Sequence, residues 1–199
     1  MNTLYLWLPV GGATEPWLGP LLVNGIFSLV IVGLLLRNHS KAILKLGQAY
    51  HFTLPLIVVA GATIVASGSR LLSQGITTEP TDLELLIWLV IVVPLVEELL
   101  FRGGFGLYFV KKVGAWWGSY WSALLFALCH SNITLSNLFS ANFGVPLGPF
   151  LLGFLCQFLF TKSGSIWPAI ALHISCNLTS FIFRWLDHRW LDWLNWLYL

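Results

Sequence analysis

The sequence predicts an all-α protein: a polytopic transmembrane helix bundle of about six spans with a C-terminal interfacial amphipathic helix, together one membrane domain over residues 1–199. Three observations carry this. Of the 199 residues, 57% are hydrophobic and 9% charged, against about a quarter charged in a soluble domain, which excludes a water-soluble fold. The apolar residues gather into uncharged runs close to span length, without the alternation of a membrane barrel. Helices are then the structure available, because open strands cannot satisfy their backbone groups in lipid. The formal net charge of +2 is small and dispersed, so no nucleic-acid partner is expected.

In chain order, residues 1–16 hold no Lys or Arg, so the basic region of a secretory signal is missing and the N-terminus is expected to be retained. Apolar runs follow at about 17–36, 52–69, 85–110, 116–131, 144–161 and 165–183. The third is interrupted by Pro94, which frees a backbone carbonyl one turn earlier and kinks the helix. Placing 37–51 on the cytoplasmic side sends Arg37, Lys41, Lys45, Arg102, Lys111, Lys112 and Lys162 inward and leaves Arg70, Arg184 and Arg189 outside, so both termini face out. The tail over 184–199 sets Arg184, His188, Asp192 and Asn195 along one stripe among Trp185, Trp190, Trp193 and Trp196, the pattern of an interfacial anchor. Cys129, Cys156 and Cys176 lie in apolar stretches and read as small hydrophobes, not as a disulfide framework.

Ionisable side chains inside apolar runs cost at least about 2.5–3.5 kcal/mol each on the insertion scale and mark pairs, wet cavities or functional sites. Five occur here, Glu97, Glu98, Arg102, His130 and His173, joined by the polar Asn177. Glu98 and Arg102 are four apart on one helix face and can pair. Glu97 points about 100° away and is left with an unbalanced negative charge, as befits a general base toward water. The competing reading of this trio is a purely structural ion network between helices. Helical rise from the inner side brings Glu97, His130 and Asn177 to similar depth, about 20–22 Å, with His173 one turn nearer the inner side than Asn177.

Such a set can hydrolyse an acyl group without a covalent intermediate: Glu97 and His130 hold and deprotonate a water, while His173 and Asn177 donate to the developing oxyanion. No serine or cysteine has an evident base at local spacing. One Glu and two His also form a familiar zinc ligand set, although the His-Glu-x-x-His signature is missing. A transporter relaying protons and a non-enzymatic scaffold are further alternatives, the first calling for an internal repeat that is not seen. The polar stretch Ser131, Asn132, Thr134, Ser136, Asn137, Ser140 and Asn142 is expected to line a water entrance or to form an ordinary loop.

Three motifs stand in order within these runs: Glu97-Glu98-Leu-Leu-Phe-Arg102, Phe126-Ala-Leu-Cys-His130 and His173-Ile-Ser-Cys-Asn177. In them the chain resembles the CPBP family, the CAAX-protease and bacteriocin-processing (Abi) intramembrane proteases, which includes the type II prenyl-protein endopeptidases. The resemblance covers about 85–180, a CPBP-like catalytic core. It implies Glu97 with His130 activating water, His173 with Asn177 as the oxyanion hole, and Glu98 with Arg102 in support, in a metal-independent, cofactor-free, glutamate-type protease. The implied partners are a membrane-associated peptide or protein substrate and the lipid bilayer, with a multi-pass location in a bacterial-type cell membrane. The prenyl-protease members generally have more spans than are counted here, which points to peptide processing or membrane-protein cleavage over a prenylated substrate.

Overall fold

The structure, a computed structural model, describes residues 44–72, 86–130 and 145–186, together with Ile26, Val30 and Gly33. All secondary structure among the described residues is helical. A short 3-10 turn, Ala49–Phe52, leads into α1, Thr53–Leu72. The third apolar run is one composite helix: a π-helical segment Trp88–Val92, α2 over Val93–Glu98, a second π-helical segment Leu99–Gly106, and α3 over Leu107–Val113. Then come α4, Ala115–His130, α5, Leu147–Ser163, and α6, Trp167–Leu186.

Five of the six runs read from the sequence are thus helical. Of the run at 17–36 only Ile26, Val30 and Gly33 are described, each in a helix; the polar stretch after His130 lies outside the described residues, as do Arg37, Lys41 and the tail from 187 onward. The span count is a different matter. No helix of the described residues is long and apolar enough to cross a membrane. Helix α5, 17 residues between Pro146 and Gly164, rises only about 26 Å against a hydrocarbon core of about 30 Å.

Helix α5 packs on α4 and α6, α1 packs on α6, and α3 packs on α4. The ring contacts Trp116–Phe154 and Tyr120–Phe150 show α4 and α5 running antiparallel. At the turn between α5 and α6, Gly164 adopts the left-handed conformation (φ 64°) that ends α5. There Ser165 donates to the Lys45 carbonyl (2.6 Å) and Trp167 Nε1 to the Leu44 carbonyl (2.8 Å), so α1 and α6 start side by side. These contacts bring Lys45, Lys111, Lys112 and Lys162 to one end of the bundle. Arg102, counted with them in the sequence, is instead fully buried. A core of Cys156, Leu159, Phe160, Ile166, Ala169, Ile170 and Leu172 joins α5 to α6, with Leu54 and Val58 of α1 and Leu95 and Leu99 of the composite helix against it. All three cysteines are free, Cys156 buried and the other two half-buried.

Candidate active site

Pro94 shapes the element that carries the acids. Its ring and missing N–H disrupt a regular ladder, and the chain accommodates it by widening the preceding turn, with Pro94 second in α2 and no N–H to give to the carbonyls before it. Four residues on, Glu98 and Arg102 are both 0% exposed, with Arg102 Nε 2.9 Å from Glu98 Oε2. This approach is a charge contact and not an aligned hydrogen bond. The guanidinium is held from two other elements as well: Nη2 donates to the Gly153 carbonyl of α5 (3.2 Å), and Cζ lies 4.6 Å from the centroid of Phe126 on α4. The other Glu98 oxygen accepts from His173 Nδ1 at 2.9 Å, across 75 residues of sequence.

Glu97 faces two imidazoles from two other helices. Its Oε1 is 3.7 Å from His130 Nε2 and its Oε2 is 3.7 Å from His173 Nε2, both beyond direct hydrogen-bond length. Oε2 is buried with no hydrogen-bond partner among the described residues. His130 Nδ1 lies 2.8 Å from the Phe126 carbonyl, which can only accept, so the proton of a neutral ring sits on Nδ1 and Nε2 turns a lone pair toward Glu97. The same reasoning puts a proton on His173 Nδ1, facing the Glu98 carboxylate. Exposure rises across the cluster: 0% for Glu98 and Arg102, 4% for His173, 12% for Glu97 and 22% for His130.

Five of the six side chains singled out in the sequence, Glu97, Glu98, Arg102, His130 and His173, therefore meet. Asn177 stands one turn beyond His173 and donates its Nδ2 to the Leu89 carbonyl at 2.9 Å. Two groups had no role assigned from the sequence: Phe126, quoted there only as part of a motif, and Gly153. Phe126 is 1% exposed and touches His130 (centroids 4.3 Å), His173 (5.7 Å) and Phe101 (5.0 Å) as well as Arg102; its signal was its place four residues before His130 on one face. Gly153 contributes a backbone carbonyl, which no side-chain pattern announces. Among the described residues, no group of three or more His, Cys, Asp or Glu is arranged to hold a metal ion.

Comparison with known families settles the kinship. Residues 79–179 match the family model described as type II CAAX prenyl endopeptidase Rce1-like. The chain belongs to this family. The match takes in slightly more than half of the sequence and all six side chains discussed above. No curated protein and no solved structure matches the chain. Membership of the CAAX protease family makes the chain a hydrolase of the protease class at family level, and the setting of that family is the membrane.

Proposed function

We propose that the chain is an intramembrane endopeptidase that cleaves a peptide bond of a membrane-associated protein or peptide with water activated by Glu97 and His130. The catalytic core is residues 85–180, and the apolar runs set it within the bilayer of a bacterial-type cell membrane. The observation that supports this most directly is the position of Glu97, with one oxygen 3.7 Å from each of two imidazoles. Glu97 Oε1 and the lone pair of His130 Nε2 are both acceptors, and a water between them donates one O–H to each. Its own lone pairs are then free to attack.

As the water oxygen adds to the peptide carbonyl, its proton passes to Glu97. The oxyanion is met by His173 Nε2–H and by the remaining Nδ2–H of Asn177. His173 is thus asked to donate from both ring nitrogens, Nδ1–H to Glu98 and Nε2–H to the oxyanion. Collapse of the tetrahedral intermediate breaks the C–N bond, and the departing amine takes its proton from Glu97. Glu98 and Arg102 hold His173 in place and touch no reacting atom.

The test compares membranes from cells expressing the wild-type chain and Glu97→Gln, read by mass spectrometry for new peptide termini. Glu97→Gln keeps the shape and removes the base, so cleavage at the identified termini is expected to fall about 10²–10⁴-fold with thermal unfolding in detergent unchanged. Undiminished cleavage overturns the assignment. Cleavage is expected to persist in chelator, and loss that zinc restores overturns metal-free activation of the water.

A further inference from the structure

The hydrogen bond between Asn177 and Leu89 follows from the proline between Leu89 and the acids. In π-helical turns each carbonyl takes the N–H five residues on. For Leu89, in the segment Trp88–Val92, that position is Pro94, which has no N–H. The carbonyl is therefore open to a donor from elsewhere, and Asn177 of α6 supplies it at 2.9 Å, across 88 residues. Pro94 itself is fully buried, at the contact that α2 and the π-helical segment before it make with α6.

This bond does more for an asparagine than satisfy a backbone group. A free carboxamide turns readily about its last torsion and presents either its oxygen or its NH₂ to a given point. Turned with the oxygen forward, Asn177 would repel an oxyanion. The Leu89 carbonyl can only accept, so the end of the carboxamide it grips must be the NH₂ end. One of the two Nδ2 protons is used there, and the other is left for a second acceptor.

We infer that Pro94 is a positioning residue: by withholding an N–H from the Leu89 carbonyl, it keeps that carbonyl available to fix the Asn177 carboxamide with one N–H presented to the substrate. The inference rests on the oxyanion role proposed above for Asn177. It explains why a proline lies one turn before the acid pair, a place where a kink alone would serve no chemistry.

The test is a double-mutant cycle on a peptide spanning a cleavage site found by the terminus comparison. Asn177→Ala is expected to lower kcat about 10²-fold, as loss of an oxyanion donor does. Pro94→Ala supplies an N–H that competes for the carbonyl, and kcat is expected to fall about tenfold with KM unchanged, the pattern of a contact made in the transition state. In Pro94→Ala/Asn177→Ala the two losses should not multiply, because both act through one group. Multiplying losses, or a Pro94→Ala enzyme with normal kcat, overturn the inference and leave the oxyanion role of Asn177 standing. A harmless Asn177→Ala overturns that role and the inference with it. Should Pro94→Ala fail to assemble, side-chain amide exchange in the ¹⁵N-asparagine-labelled wild type decides: one slowly exchanging Nδ2 proton on Asn177 is expected, and two equally fast ones overturn the inference.

Discussion

Arg102 is the residue on which the buried charges depend. It lies 2.9 Å from Glu98, donates to Gly153 and rests against Phe126, all with no exposure to solvent. Breaking a buried ion pair leaves a charge without compensation and costs about 3–5 kcal/mol, whereas replacing both partners by apolar groups can be neutral. Arg102→Leu is therefore expected to destabilise the fold by about 3–5 kcal/mol, and Arg102→Leu/Glu98→Leu to recover most of that, both measured by chemical unfolding in detergent. A double variant no more stable than the single one would show that Glu98 carries no buried charge. The pairing itself was legible, because four residues make one helical turn. The second partner of Glu98 was not. Nothing near Glu98 in sequence points to His173, and the unbalanced charge assigned to Glu97 meets imidazoles on both sides that only the folded chain supplies.

At the scale of elements, the composite helix and α5 show where sequence pattern stops. Pro94 announced a freed carbonyl, but its partner lies on α6, and helical periodicity carries no information between helices. Helix α5 was legible as an apolar run and silent about its role, because what it gives the site is the Gly153 carbonyl. A Cβ at Gly153 would stand 3.1 Å from Ala123 Cα and 3.2 Å from Phe126 Cδ1, so α4 and α5 approach too closely for a side chain. Gly153→Val is expected to destabilise by about 1–3 kcal/mol through overpacking and to draw the carbonyl away from Arg102. Thermal unfolding measures the first effect. Unchanged stability would mean that the two helices are free to separate.

Among the described residues of the molecule, charged and polar groups are buried beside the apolar core while large apolar side chains stand on the surface. Its buried positions include Glu98, Arg102, Ser122, Gln157 and His173, while Leu56, Ile57, Ile64, Trp116 and Trp117 are exposed. On α5 the exposed Leu147, Leu151, Leu155 and Phe158 form an apolar stripe opposite the buried Gly153, Cys156 and Gln157. A continuous apolar surface of this kind requires lipid or another protein against it, and the membrane setting of the family names the first. Trp116 and Trp117, at the lysine-bearing end, should lie at the level of the headgroups. In vesicles of brominated phosphatidylcholine, Trp116→Phe/Trp117→Phe is expected to reduce quenching by shallow bromines and to leave quenching by deep ones intact; equal quenching before and after would place them elsewhere. The helical class was legible because composition and hydropathy act locally, and helix lengths were less so, since α3 and α5 end where Gly114 and Gly164 happen to fall.

Among the described residues the cluster opens from no exposure at Arg102 to 22% at His130, so the proposed reaction would be entered from the His130 side. In the proposed reaction, water and the chain to be cut would come in from this side. A molecule lodged at the His130 side would starve the reaction of solvent as well as exclude the peptide, so blocking this entrance should silence the enzyme without any contact with the acid itself.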